Sequence, residues 1–199
     1  MRILVIGATG TIGSAVAGAL SDASHEVIGA SRGGGPGGRI RADLEDPSSL
    51  DTLFELAGDL DAVVCCAANG PLVDLGSVTD EEMAAGTRGK LLGQVALAGR
   101  AARHLRDGGS ITLTGGTFSA PLPGGSLGAL INSGLEGFVR NAASELPRGL
   151  RLNLISPGWI TETLRSLGMD DTAGTSVAEV AQAYVRTVEG TARGRTFRP

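Results

Sequence analysis

Residues 2–13 read Arg-Ile-Leu-Val-Ile-Gly-Ala-Thr-Gly-Thr-Ile-Gly, and this stretch decides the fold. Apolar residues of buried-strand character run straight into Gly7, Gly10 and Gly13. An amphipathic helical pattern then begins, with Ile12, Val16 and Leu20 on one face. A strand, a glycine turn and a helix start in this order form the setting in which a dinucleotide is held. Gly7 permits the tight turn, Gly10 leaves room for a pyrophosphate against the backbone, and Gly13 lets helix and strand pack closely. Thr9, Thr11 and Ile12 complete the loop and the helix start, whose free N–H groups face the phosphates.

Outward from this loop, strand-like and helix-like segments alternate. The patterning predicts strands near 2–6, 26–30, 39–42, 61–66, 110–114, 151–155 and 195–198. It predicts helices near 11–21, 48–57, 79–106, 127–146 and 176–188. Such alternation implies crossover units and a sheet covered on both faces. The expected fold is one doubly wound α/β domain over residues 1–199, with a mostly parallel sheet of about seven strands and helices on both sides. Residues 33–38 and 115–125 read as glycine- and proline-rich loops.

Composition narrows the function. A chain of 199 residues, 42% apolar and 19% charged, is sized for one soluble domain with a sizeable core. No apolar run approaches the ~20 residues that span a bilayer, and the chain opens directly on a strand rather than a leader. A net charge of −4 argues against nucleic-acid and membrane partners. No metal-ligand cluster is apparent. Cys65 and Cys66 are adjacent on a strand and point to opposite faces, so reduced thiols and a cytoplasmic setting are expected. Lys90 is the only lysine among 17 basic residues, and Tyr184 is the only tyrosine.

Together the segments resemble the short-chain dehydrogenase/reductase family, with its Rossmann-type domain, over nearly the whole chain. Beyond the glycine loop, the resemblance rests on Asp43-Leu44 after the third strand and on Leu60–Ala68 as the fourth strand. It rests also on Gly109–Thr114 as the fifth strand, Leu150–Ile160 with its Ser-Pro-Gly-Trp-Ile turn, and Gly194–Phe197 as the last strand. It implies that Asp43 and Leu44 lie beside the adenine, and that Ala67 and Ala68 flank the cofactor. It further implies that Pro157, Gly158, Trp159 and Ile160 hold the nicotinamide carboxamide through backbone groups, with Thr161 or Thr163 reaching the amide or pyrophosphate.

The family's reductases use a serine, a tyrosine and a lysine four residues later, supported by an asparagine. Aligning Glu136-Gly137-Phe138 with the family's Glu-Gly-Phe puts Gly128 at the tyrosine and Asn132 at the lysine. The serine falls on Gly115 or Gly116, and the asparagine on Lys90. Tyr184 lies in the last helix with no lysine four residues on. The chain thus resembles short family members that keep the cofactor fold without the usual catalytic side chains.

The end of the second strand, Ala30-Ser31-Arg32, carries no acid to accept from ribose hydroxyls. Ser31 and Arg32 instead suit a phosphate, so NADP is the expected cofactor, with Arg39 and Arg41 as nearby alternatives. Lys90 is the sharpest candidate for chemistry, donating to a carbonyl oxygen or steadying an oxyanion; the other reading is a structural replacement for the asparagine. Thr114 and Thr117 flank the missing serine and either orient a carbonyl or finish a strand and its loop. The expectation is an NADP-dependent oxidoreductase acting on a small carbonyl or conjugated substrate. The alternatives are a nucleotide-sensing binding module and a non-redox cyclase or isomerase. Gly93, Ala96, Ala98, Gly99, Ala101 and Ala102 thin the long helix, which points to a helix-packed homodimer.

Overall fold

A computed structural model describes residues 1–35, 39–67, 70 and 72–199. Seven parallel strands form one sheet in the order β3-β2-β1-β4-β5-β6-β7. They are β1 (Arg2–Ile6), β2 (Glu26–Ser31), β3 (Ile40–Arg41), β4 (Leu60–Cys65), β5 (Leu105–Thr114), β6 (Arg151–Ile155) and β7 (Thr196–Phe197). The helices are α1 (Thr11–Asp22), α2 (Pro47–Ala57), α3 (Asp80–Thr87), α4 (Gly93–His104), α5 (Ser126–Glu145), α6 (Thr161–Ser166) and α7 (Val177–Glu189).

The central strands are apolar on both sides because both sides are covered. In β1, Leu4 and Ile6 join the core beneath α2, α4 and α5, while Ile3 and Val5 join the core beneath α1 and α7. Cys65 belongs to the first of these cores and Cys66 packs against the second, so the two thiols do point apart and both are free. No helix among the described residues is long and apolar enough to cross a membrane.

Three elements depart from the patterning. The single helix expected over 79–106 is broken: a π-helical turn, Arg88–Leu92, separates α3 from α4. The Gln94 side chain donates to the Lys90 carbonyl at 2.8 Å and to the Thr114 carbonyl at 2.9 Å, and the Gly93 amide reaches back five residues to the Arg88 carbonyl. Gly93 is also pressed on Leu44, whose Cβ would lie 2.7 Å from any side chain there. β5 begins at Leu105, earlier than expected, and its pairing with β4 shifts register between Leu60 and Ala62. α6 forms between Ile160 and Ser176, where the patterning predicts no helix, and this stretch is closed at its base by the Ile160–Thr175 bridge.

The order of the strands reverses at β1, which has β2 on one side and β4 on the other. In open parallel sheets the crevice beyond the strand ends at such a switch point is where ligands bind.

Candidate cofactor cleft and active centre

A cleft of about 800 Å³ opens at this switch point. Gly7, at φ +82°, makes the turn out of β1 and lies so close to the end of β4 that a Cβ would sit 2.8 Å from the Ala67 amide nitrogen. A Cβ on Gly13 would sit 2.0 Å from the Gly7 carbonyl oxygen, so only glycine lets α1 start here. Gly10 caps α1 without a side-chain hydrogen bond, and Ser14 is the first residue to bond back to it. The amides of Thr11, Ile12 and Gly13 are left for an external acceptor at the positive end of the helix.

Of the sequence-predicted cofactor residues, the structure brings Gly7, Thr9, Gly10, Thr11, Ile12, Ser31, Arg32, Asp43, Leu44 and Ala67 together around the cleft. Gly13 lies beneath it as a packing residue, and Ala68 falls outside the described residues. Thr163 of α6 reaches the cleft and Thr161 does not. Asp43-Leu44-Glu45 form one wall of the cleft, with Gly89 of the π turn against Glu45. Glu45, Cys66 and Gly89 were missed by sequence reasoning; the only signal was indirect, since Gly89 must lack a side chain for the Glu45 carboxylate to pass at its back.

Two details alter the expected roles. The Ser31 hydroxyl donates to the Gly34 carbonyl at 3.1 Å, so it closes its own loop and has no proton left for a phosphate. Arg32 is exposed at the cleft rim, with no ion pair among the described residues. Pro157, Gly158, Trp159 and Ile160 do not line this cleft. The Pro157 carbonyl accepts from the Thr117 amide, the Trp159 carbonyl accepts from Thr175, and Ile160 is buried in the α1–α7 core.

The candidate active centre lies past the ends of β4 and β5. Thr114 faces inward, not toward the cleft. Its hydroxyl donates to the Cys65 carbonyl and accepts from the Tyr184 hydroxyl at 2.6 Å. Tyr184 is wholly buried, and burial pushes its hydroxyl well above the ordinary phenol value. Burial likewise raises the Cys65 thiol to about 12, which leaves it protonated and inert. The Thr117 hydroxyl turns to Ser156, 3.1 Å from both its carbonyl and its hydroxyl. Both threonine hydroxyls are therefore engaged within the fold.

Lys90 is different. It is half-buried on the π turn, its ammonium has no hydrogen bond or ion pair among the described residues, and desolvation lowers its pKa from the ordinary 10.5. Where the alignment put the family's tyrosine, Gly128 lies against Phe118, whose Cζ would be 3.2 Å from an added Cβ. The Asn132 carboxamide lies over Gly116, and its buried Oδ1 has no partner among the described residues. The residues fit a dinucleotide: Gly7 and Gly13 where no Cβ fits, three α1 amides open to an acceptor, and at one end Arg32, with no ion pair among the described residues.

A family profile described as enoyl-(acyl carrier protein) reductase matches residues 7–192. No curated protein is matched. Among solved structures, the protein lin1944 from Listeria innocua is 33% identical with a TM-score of 0.92, covering 100% of this chain and 98% of that one. A small-chain dehydrogenase is 27% identical at a TM-score of 0.85, covering 100% and 95%. Another, solved in complex with NADPH, is 25% identical at 0.85, covering 100% and 96%.

Proposed function

Because the chain belongs to the short-chain dehydrogenase/reductase family, we propose that it is an NADP(H)-dependent oxidoreductase that reduces a small carbonyl or conjugated substrate through a non-standard active site. The observation that carries this reading is the cleft at the β1–β4 switch, with an open α1 start at its floor and Arg32, without any acid, at the end of β2. The NADPH complex of a 25%-identical relative supports the same cofactor. When bound, NADPH supplies the hydride. The protein's part is to hold the pyrophosphate on the α1 amides, to favour the 2′-phosphate with a cation and to polarise the acceptor.

Lys90 is the residue we assign to polarisation. It is a cation without an ion pair among the described residues, in a partly desolvated place where an ammonium acts more strongly on a developing oxyanion than it does in water. A proton relay through tyrosine is not part of this reading, since Gly128 and Asn132 occupy the relay positions in the alignment. This reading takes the protein to be cytoplasmic, which the free thiols of Cys65 and Cys66 support.

Screening carbonyl and enone compounds with NADPH, read by loss of nicotinamide absorbance and by product mass, tests the proposal. Turnover with NADPH that exceeds turnover with NADH is the expected result. The engagement of Thr114 and Thr117 in structural hydrogen bonds favours a second reading, a binding module that senses nucleotide without turnover. Tight NADPH binding without any product across the screen selects it.

A further inference from the structure

Phe118 stands on the loop that follows β5. A Cβ on Gly128 would meet its Cζ at 3.2 Å and its Cε2 at 3.3 Å, and a Cβ on Gly125 would meet Cε2 at 3.5 Å. These two glycines are three residues apart, on one face at the start of α5, so the ring lies across that face. Where the alignment puts a tyrosine hydroxyl, the fold has an aromatic ring, half-buried and so partly open to solvent.

The connection after β4 joins this ring to the rest of the site. It lines the cofactor cleft at Ala67. At Gly70 it runs beside the Lys90 stem, whose Cδ would lie 3.8 Å from an added Cβ. At Val73 its amide donates to the Gly124 carbonyl at 2.9 Å, in the loop that carries Phe118, and the half-exposed Leu72 packs on Gly124 there. Cleft, ammonium-bearing stem and ring thus follow one another along one segment.

The usual proton donors are engaged elsewhere. Burial pushes the Tyr184 hydroxyl and the Cys66 thiol well up, and the Thr117 hydroxyl is held at Ser156. His25 pairs with Glu189, and His104 stacks on Phe54. Hydride addition to an aliphatic carbonyl leaves an alkoxide, of a basicity near that of hydroxide, whose parent water titrates at about 15.7, and it calls for an acid in place. Addition to a quinone leaves a phenolate-type anion, whose parent phenol titrates at about 10. A cation is enough to hold that anion until water protonates it.

We propose that Phe118 is the specificity-determining residue of the substrate site and that the acceptor it selects is a quinone, lying flat against the ring with an oxygen toward the Lys90 ammonium. The quinone takes a hydride, two electrons with one hydrogen, from NADPH and becomes the hydroquinone monoanion. A proton from water completes the hydroquinone, and the cofactor leaves as NADP⁺. This narrows the NADP(H) oxidoreductase reading above, on which it rests.

Two acceptors are compared with NADPH in the absence of oxygen, each corrected for its uncatalysed rate. One is 2,3-dimethyl-1,4-naphthoquinone, whose blocked ring positions do not alkylate thiols, and the other is hexanal. The quinone is expected to show a kcat/KM about tenfold or more above that of the aldehyde. Binding is read separately, by calorimetry on the NADP⁺ complex, with 2-naphthol as a flat unreactive phenol and decahydro-2-naphthol as its puckered counterpart. The wild type should hold 2-naphthol about fivefold or more tighter. Phe118→Leu keeps apolar packing on Gly128 and removes the flat face. It should erase that preference and raise the quinone KM about as much, with NADP⁺ affinity held within about twofold. If Phe118→Leu fails to fold, the wild-type preference alone decides. Faster turnover of hexanal, equal binding of the two alcohols by the wild type, or a preference that survives in Phe118→Leu overturns the quinone assignment and leaves the oxidoreductase reading intact. No turnover of either acceptor with NADPH overturns both.

Discussion

Among the described residues, the Arg32 guanidinium at the cleft and the Lys90 ammonium at the active centre have no ion pair. Arg32→Ala removes one charge-assisted contact with the 2′-phosphate and should weaken NADPH binding by about 1.5–3 kcal/mol, with NADH binding unchanged. Equal wild-type affinity for the two cofactors would reject the assignment. Lys90 can be followed directly because it is the only lysine. Reductive ¹³C-methylation gives its amine one signal, distinct from that of the N-terminus, and that signal should titrate below the ordinary 10.5. The sign follows from desolvation, which disfavours the ammonium in the folded state. Between the depressed folded value and the unfolded one, the unfolded chain binds more protons, so stability rises with pH through that window. Lys90→Met should abolish this alkaline gain and, in an active enzyme, depress kcat far more than NADPH affinity. A methyl signal titrating at the exposed-lysine value would sink the electrostatic role. The sequence made these two residues legible because they are singular in type or follow a recognisable strand end. It hid the fate of Thr114 and Thr117: their hydroxyls are claimed by Tyr184 and Ser156, which are 70 and 39 residues away and meet them only after folding.

At the scale of elements, the glycine turn and both faces of the sheet were readable because their periodicities are local. The π turn was not. It is fastened by one fully buried side chain, Gln94, which donates to the Lys90 and Thr114 carbonyls at 2.8 and 2.9 Å and accepts from the Thr114 amide at 2.9 Å. Gln94 thus ties the turn bearing Lys90 to the end of β5, in a place where helical periodicity alone predicts no break. Gln94→Leu would leave the two carbonyls and the amide unpaired. At about 1–3 kcal/mol for an unsatisfied buried group, partly relieved by closure of the turn to a regular helix, the loss should be at least about 2 kcal/mol in denaturant unfolding. The methyl signal of Lys90 should shift in the same variant. A loss of stability without that shift would show that Gln94 holds the core but does not position the lysine.

The molecule as a whole has an outer surface that its own core does not explain. The small residues of α4 were read as a seam for a partner, yet Gly93, Ala98 and Ala101 are buried within the chain. Gly93 packs on Leu44, and Ala98 and Ala101 belong to the core shared with α2 and β5. Gly99 alone faces open space. What favours a dimer is instead a pair of large apolar side chains on neighbouring elements: Leu92 on the π turn, 54% exposed, and Leu130 on α5, 63% exposed. Exposed leucines are common singly, but two on neighbouring elements gain most by being covered. The expected assembly is a symmetric homodimer through α4, its π turn and α5, in which each copy covers the same patch of the other. Light scattering of the purified chain should give about twice its 20.0 kDa mass. Replacing both leucines by glutamate should yield a folded monomer, since charges facing one another across a two-fold axis repel and neither leucine belongs to the chain's own core. A wild type that stays monomeric at micromolar concentration, or a double variant that stays dimeric, would place the interface elsewhere or remove it.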